Sequence, residues 1–194
     1  RVQTRMGNRH PYLAPQGCYP CKGNDKWVVI AVSSDEEWQN LCQAMGDPAW
    51  CREPEFADPL SRYEHQDDLD QHIAQWTAQF DHYDVMHLLQ RSGVPAGAVL
   101  TNKELLLDPH YRARDYYQMV DHPEDTGIGR RPYPGLAWKL SKTPGSVRSH
   151  APTLGQDNEL ILRHFLGLSQ ADIDDLEREG VIGTEPVGAS RPRA

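Results

Sequence analysis

No run of this sequence is long and apolar enough to suggest a membrane span. A spanning helix needs roughly 20 consecutive apolar residues, and stretches such as Trp27–Val32 are far shorter. Hydrophobic residues make up 38% of the 194 residues and mean hydropathy is -0.70, so wide polar surfaces and long loops are expected. Positive charge is also scarce. Twenty Lys and Arg face 28 Asp and Glu, for a formal charge of -8, and the basic clusters (Arg130 with Arg131, Arg191 with Arg193) are short. A nucleic-acid-binding role therefore lacks electrostatic support. There is no Gly-x-Ser-x-Gly and no phosphate-cradling glycine loop. The first residues lack the apolar core of a secretion signal. A cytoplasmic setting is expected, with the four cysteines as reduced thiols. The chain begins at Arg1 and reads as a piece of a longer protein.

The residues present predict a mixed α and β fold. "QGCYPCKGNDKWVVIAVS" reads as a β-hairpin, with Lys22–Asp25 as its turn and Trp27–Val32 as its second strand. In "SSDEEWQNLCQAMGDP", Ser34 and Glu37 have capping-box spacing. Trp38, Leu41, Cys42 and Met45 follow a helical stripe, which Gly46 and Pro48 end. Residues 47–66 read mostly as loop. Helices are predicted at about 67–79, with Leu69, Ile73, Trp76 and Phe80 on one face, and at about 82–92. A short strand follows in "VPAGAVLT". Two short helices come next, the second with Asp108 as N-cap and Pro109 at its first position. Gln118–Asp121 and Leu136–Leu140 are candidate strands. The end is helical again, its last helix opened by Ser169 and Asp172 and closed by Gly180. Residues 183–194 read as a disordered tail.

Few constellations suggest chemistry. Cys18 and Cys21 form a Cys-x-x-Cys pair, but they precede a strand, not a helix N-terminus where a thiol is activated. Cys42 and Cys51 have poor spacing for the other half of a zinc site. All four are expected as small packing groups, and no metal site is expected. The histidines are expected at the surface or half-buried, and the many carboxylates as solvated or capping groups. "MGNRHP" remains, with Gly7, Asn8, Arg9 and His10. Glycine permits close backbone approach, Arg holds anions, and Asn and His donate hydrogen bonds. A plain turn into the hairpin is the other reading.

The order of several blocks resembles the family III CoA-transferases, the group of formyl-CoA transferase and the carnitine CoA-transferases. The blocks are Gly7-Asn8, His10-Pro11, Ala14-Pro15, the Gly23–Asp25 turn, the Val28–Val32 strand and Trp38. "GVPAGAV" (Gly93–Val99), "DPHYRARDYY" (Asp108–Tyr117), "LSKTPG" (Leu140–Gly145), "APTLGQDN" (Ala151–Asn158) and "GVI" (Gly180–Ile182) follow in order. The resemblance implies the C-terminal half of such an enzyme. Residues 1–17 would be a loop entering from a missing N-terminal half, and 18–93 a small α+β domain. Residues 94–182 would be the linker and the C-terminal return segment of a Rossmann-like large domain, with 183–194 the tail. It also implies a nucleophilic aspartate upstream of this chain, no catalytic residue within it, and acyl-CoA and a carboxylic acid as substrates. No permanently bound cofactor and an interlocked homodimer would accompany these. The family's glycine-rich loop falls near Gly7, where only one glycine stands, so Gly7, Asn8 and His10 are the substrate-loop candidates. An acyl-CoA racemase or epimerase of the same fold and a non-catalytic interlocking fragment are the alternatives.

Overall fold

In a computed structural model, residue 2 and residues 5–186 are described. Positions 187–194 of the expected tail lie outside them. The chain divides into two compact units, Arg1–Leu105 and Leu106–Ala194.

The first unit is built around a three-stranded antiparallel sheet. β1 (Gln16–Pro20) and β2 (Trp27–Ala31) form the expected hairpin, with Gln16 opposite Ala31 and Pro20 opposite Trp27. β3 (Ala96–Val99) returns along the other side of β2, with Ile30 opposite Ala96. The strand order is therefore β1-β2-β3. Side chains alternate across a strand, so Val28 and Ile30 face inward and are fully buried, while Trp27 and Val29 are exposed. Four helices lie between β2 and β3: α1 (Asp35–Ala44), α2 (Pro59–Glu64), α3 (Gln66–Thr77) and α4 (His82–Arg91). Leu41, Leu69, Ile73, Val85 and Leu89 join Tyr19, Val28 and Ile30 in one buried cluster.

The helix starts follow their sequence signals, with one shift. Ser34 accepts from the Glu37 amide as a cap should, but the Glu37 carboxylate reaches back to the amide and hydroxyl of Ser33 rather than to Ser34. Residues 47–66 are not mostly loop. Short 3-10 turns at Ala49–Arg52 and Pro54–Phe56 lead into α2. Asp58 caps α2 through the amides of Leu60 and Ser61, and Pro59 takes the first helical position. This Asp-Pro start is the signal that Asp108-Pro109 also gives. Helix α2 carries Arg62 inward to 1% exposure. There its guanidinium donates to Asp35 at 2.7 Å and to the Phe56 carbonyl at 3.1 Å, and lies over the Trp38 ring. Phe80 lies past the end of α3 and is exposed, while Thr77 turns inward and donates to the Pro20 carbonyl.

His82 departs from the expected surface or half-buried position. As the first residue of α4, it is carried inward to 2% exposure, its ring nitrogens 3.3 Å from Asp81 and 3.4 Å from Glu104. Glu104 belongs to α5 (Asn102–Leu107) and also pairs with Lys26, the residue before β2. It is more than a solvated carboxylate, since it ties α5 to the sheet.

The second unit holds α6 (Pro109–Ala113), capped by Asp108, and a two-stranded antiparallel ribbon of β4 (Tyr117–Val120) and β5 (Arg131–Pro134). The second strand is not Leu136–Leu140. The Pro132 and Pro134 positions are compatible with a strand because alternate residues place both missing amides on the unpaired side. Residues 136–140, beyond Gly135, have no partner strand among the described residues. Leu160–Phe165 is a wide helix with bonds five residues apart, such as Leu166 N to Ile161 O at 3.1 Å. α7 (Gln170–Arg178) has a complete capping box between Ser169 and Asp172. The unit buries Val120 and Ile173, yet leaves Trp138 63%, Phe165 72% and Leu166 64% exposed.

Leu69→Ala is expected to lower stability in chemical denaturation by about 2–5 kcal/mol. Exposed Leu60→Ala should stay within about 0.5 kcal/mol. Hydrogen bonds from Lys26 and Thr101 hold the Glu104 carboxyl at about 2 against an ordinary 4.5. A depressed carboxyl stabilises the fold above its unfolded value and loses that effect as pH falls through the folded one. The melting-temperature gap between wild type and Glu104→Gln should therefore be full above pH 4.5 and close toward about 2.

Candidate functional site

The candidate loop lies against the outer edge of β1. In an antiparallel pair a residue's N–H and C=O point to the same side, and those of Cys18 turn away from β2. The Asn8 side chain takes both. Cys18 N donates to Asn8 Oδ1 at 2.7 Å, and Asn8 Nδ2 donates to the Cys18 carbonyl at 3.1 Å. One amide side chain thus pairs like a residue of an added strand, protecting an open sheet edge. Gly17 makes the approach possible, because a Cβ there would stand 2.9 Å from Asn8 Nδ2. Gly7, with φ +63, turns the chain just before it, a conformation that costs other residues more.

Arg9 anchors the loop from the other direction. Its guanidinium pairs with Asp67 and lies 3.5 Å from Asp70, both on α3. Asp70 in turn accepts from the hydroxyl of Tyr19 at 2.8 Å, and Tyr19 is 1% exposed. Burial lifts the Asp70 carboxyl above its ordinary value, with the Tyr19 hydrogen bond and Arg9 opposing. Burial, then the neighbouring Asp70, pushes the Tyr19 phenol up. The hydroxyl therefore stays protonated and remains a donor, which fixes β1 against α3.

Gly7, Asn8 and Arg9, with Gln16, Gly17, Cys18 and Val29, line a cleft of about 170 Å³. His10 is not among its walls. Its Nδ1 accepts from the Tyr12 amide at 3.2 Å, and the two rings meet edge to face. Two of the three sequence candidates thus share one cleft, while the third braces the turn behind it. The Arg9–Asp70–Tyr19 chain escaped sequence reading because Arg9 and Asp67 are 58 positions apart. The one local sign was the spacing of Asp67 and Asp70, which places them on the same helix face. Among the described residues no group of His, Cys, Asp and Glu could hold a metal.

Comparison with known proteins gives consistent matches. The family model for CoA-transferase family III matches residues 1–158. The chain is 37% identical over 181 residues to a succinyl-CoA–D-citramalate CoA-transferase of Chloroflexus aurantiacus, covering 93% of this chain and 44% of that protein. It is 29% identical to a formyl-CoA:oxalate CoA-transferase of Bradyrhizobium diazoefficiens, covering 92% of this chain and 42% of that protein. The chain thus spans less than half the length of these relatives. Among solved structures, a CAIB/BAIF family protein from Brucella suis superposes with a TM-score of 0.67 at 23% identity. That match covers 90% of this chain and 41% of the other. At that identity the likeness shows the fold.

Asn8→Ala should speed hydrogen exchange at the Cys18 amide and cost about 1–2 kcal/mol, two exposed hydrogen bonds being lost. Asn8→Asp keeps the acceptor for Cys18 N but loses the donor, and should fall between. An unchanged Cys18 exchange rate in the alanine variant would show that the pairing does not hold in solution.

Proposed function

The chain belongs to CoA-transferase family III, and from that premise we propose that it is the C-terminal portion of an enzyme moving CoA from an acyl-CoA donor to a carboxylic acid. The match over residues 1–158 carries this reading. The nucleophile is an aspartate carboxylate outside these 194 residues. It attacks the donor thioester, and the acyl group and CoA pass through mixed-anhydride and aspartyl-thioester intermediates. Acyl-CoA is a substrate, and no permanently bound cofactor is required.

In this reading residues 18–93 form a small domain, and 94–182 lead back to and complete a Rossmann-like large domain. The exposed Trp138, Phe165 and Leu166 support a place for the later segment against further chain, because apolar side chains in such number call for a covering surface. The whole enzyme is an interlocked homodimer of the cytoplasm. Among the described residues no helix is long and apolar enough to cross a membrane. The loop Gly7–His10 borders the substrate. Gly7 allows close approach, Asn8 positions the loop on β1, and His10 sets the turn behind it. The chain alone is catalytically inactive.

The test incubates the intact protein with succinyl-CoA or formyl-CoA and, in turn, citramalate or oxalate, the compounds in the two relatives' names. A new acyl-CoA should form at the donor's expense. Hydroxylamine should inactivate the donor-loaded protein and leave its mark on an aspartate outside residues 1–194. Deuterium exchange next to the thioester without any new acyl-CoA would overturn the reading in favour of a racemase. Transfer by the 194-residue chain alone would overturn the upstream nucleophile.

A further inference from the structure

Sequence spacing separates Cys42 from Cys51, but the fold brings their sulfurs together. Cys42 lies in the last turn of α1, and Cys51 in the 3-10 turn Ala49–Arg52. Between them the chain reverses at Gly46 and Asp47, with φ of +87 and +52, and the Asp47 amide donates to the Cys42 carbonyl at 2.9 Å. The two thiols interact with each other across this turn. Both side chains are mostly buried, at 7% and 8% exposure. They also form part of the wall of a cleft of about 210 Å³, together with Gln43, Asp47 and Arg52. A small oxidant could reach sulfur through that cleft, whereas bulk solvent barely touches it.

The more conspicuous Cys18 and Cys21 are placed differently. An odd separation along an extended segment sends side chains to opposite faces. Cys18 accordingly lies half-buried on the outer face, while Cys21 is buried and its thiol points to the Tyr19 carbonyl.

We propose that Cys42 and Cys51 are a redox-active dithiol that a hydroperoxide oxidises to an intramolecular disulfide. Cys42 is the attacking sulfur. The hydrogen bond from Cys51 favours its thiolate, and nearby Arg62 adds to the effect, against burial and Asp47. The same bond, with burial, keeps Cys51 protonated. The Cys42 thiolate attacks one peroxide oxygen, breaking the O–O bond to give a sulfenic acid and hydroxide. Cys51 gives its proton to that hydroxide, forming water. Its sulfur then displaces the sulfenic oxygen, which leaves as a second hydroxide and takes a proton from solvent to become water. Two thiols are oxidised by two electrons, and one peroxide is reduced to the level of two waters. The product staples the end of α1 to the following turn.

Trypsin tests this directly, because Lys26 and Arg52 place both cysteines in one peptide, Trp27–Arg52, while Cys18 and Cys21 fall in His10–Lys22. The intact native protein is treated with hydrogen peroxide, alkylated with iodoacetamide and digested. Peptide Trp27–Arg52 should be two hydrogens lighter and unalkylated until reduced, and His10–Lys22 should alkylate fully. In Cys51→Ser, which keeps a donor to Cys42 but cannot form the disulfide, Cys42 should stop at a sulfenic acid that dimedone traps. The proposal is overturned if the disulfide forms between Cys18 and Cys21 or between molecules. It is also overturned if Cys42 and Cys51 both alkylate freely after peroxide, or if Cys42 passes to sulfinic acid in wild type with no disulfide. The wild-type peptide map decides these outcomes even if the variant does not fold.

Discussion

The burial of Val28 and Ile30 is the constraint on which the first unit depends. Both lie on the central strand, with a hydrogen-bonded neighbour on each side and helices over their face. Each such side chain contributes about 1.5–3 kcal/mol when removed from water. Their alternation with Trp27 and Val29 fixes the register, because a slip of one residue would turn the buried pair outward. Once that face is set, Leu41, Leu69, Ile73, Val85 and Leu89 have a single surface to pack on, and the helix stripes follow.

Polar groups then tie the edges of this packing together. Arg62 is almost wholly buried, yet its charge is met by Asp35, the Phe56 carbonyl and the face of Trp38. Tyr19, Asp70 and Arg9 run from the core to the surface and stop at the candidate loop. Asn8 and Arg9 therefore belong to the same construction. One holds the loop to the edge of β1, the other to α3, and both elements are anchored in the core. A loop held in this way keeps little conformational freedom.

The second unit has a different balance. Val120 and Ile173 make a small core, while Trp138, Phe165 and Leu166 face outward. Its elements are set by local signals (caps at Asp108 and Ser169, a ribbon closed near Gly127 and Gly129) more than by shared burial. The exposed side chains and the chain's share of its relatives' length, 44% and 42%, fit the same description.

Much of the first unit was legible in the sequence. The hairpin, α1, α3 and α4, and in the second unit the Asp108 cap, each announce themselves within a few residues, through alternation, a helical stripe or a capping side chain. α2 carried the same kind of signal at Asp58-Pro59 but was hidden among prolines and charges. β5 was missed because a strand exists by its partner, and two prolines fit when their missing amides face outward. His82 was misplaced because burial of a polar ring depends on Asp81 and Glu104 gathering around it. Family membership was likewise legible, since the order of blocks from Gly7 to Ile182 is a property of the chain itself. The pairing of Asn8 with Cys18, the line from Arg9 to Tyr19 and the meeting of Cys42 with Cys51 were decided by the tertiary structure alone. Local sequence fixes what each residue can offer. Which donors and acceptors meet depends on distances set by the packing of helices and strands far apart along the chain.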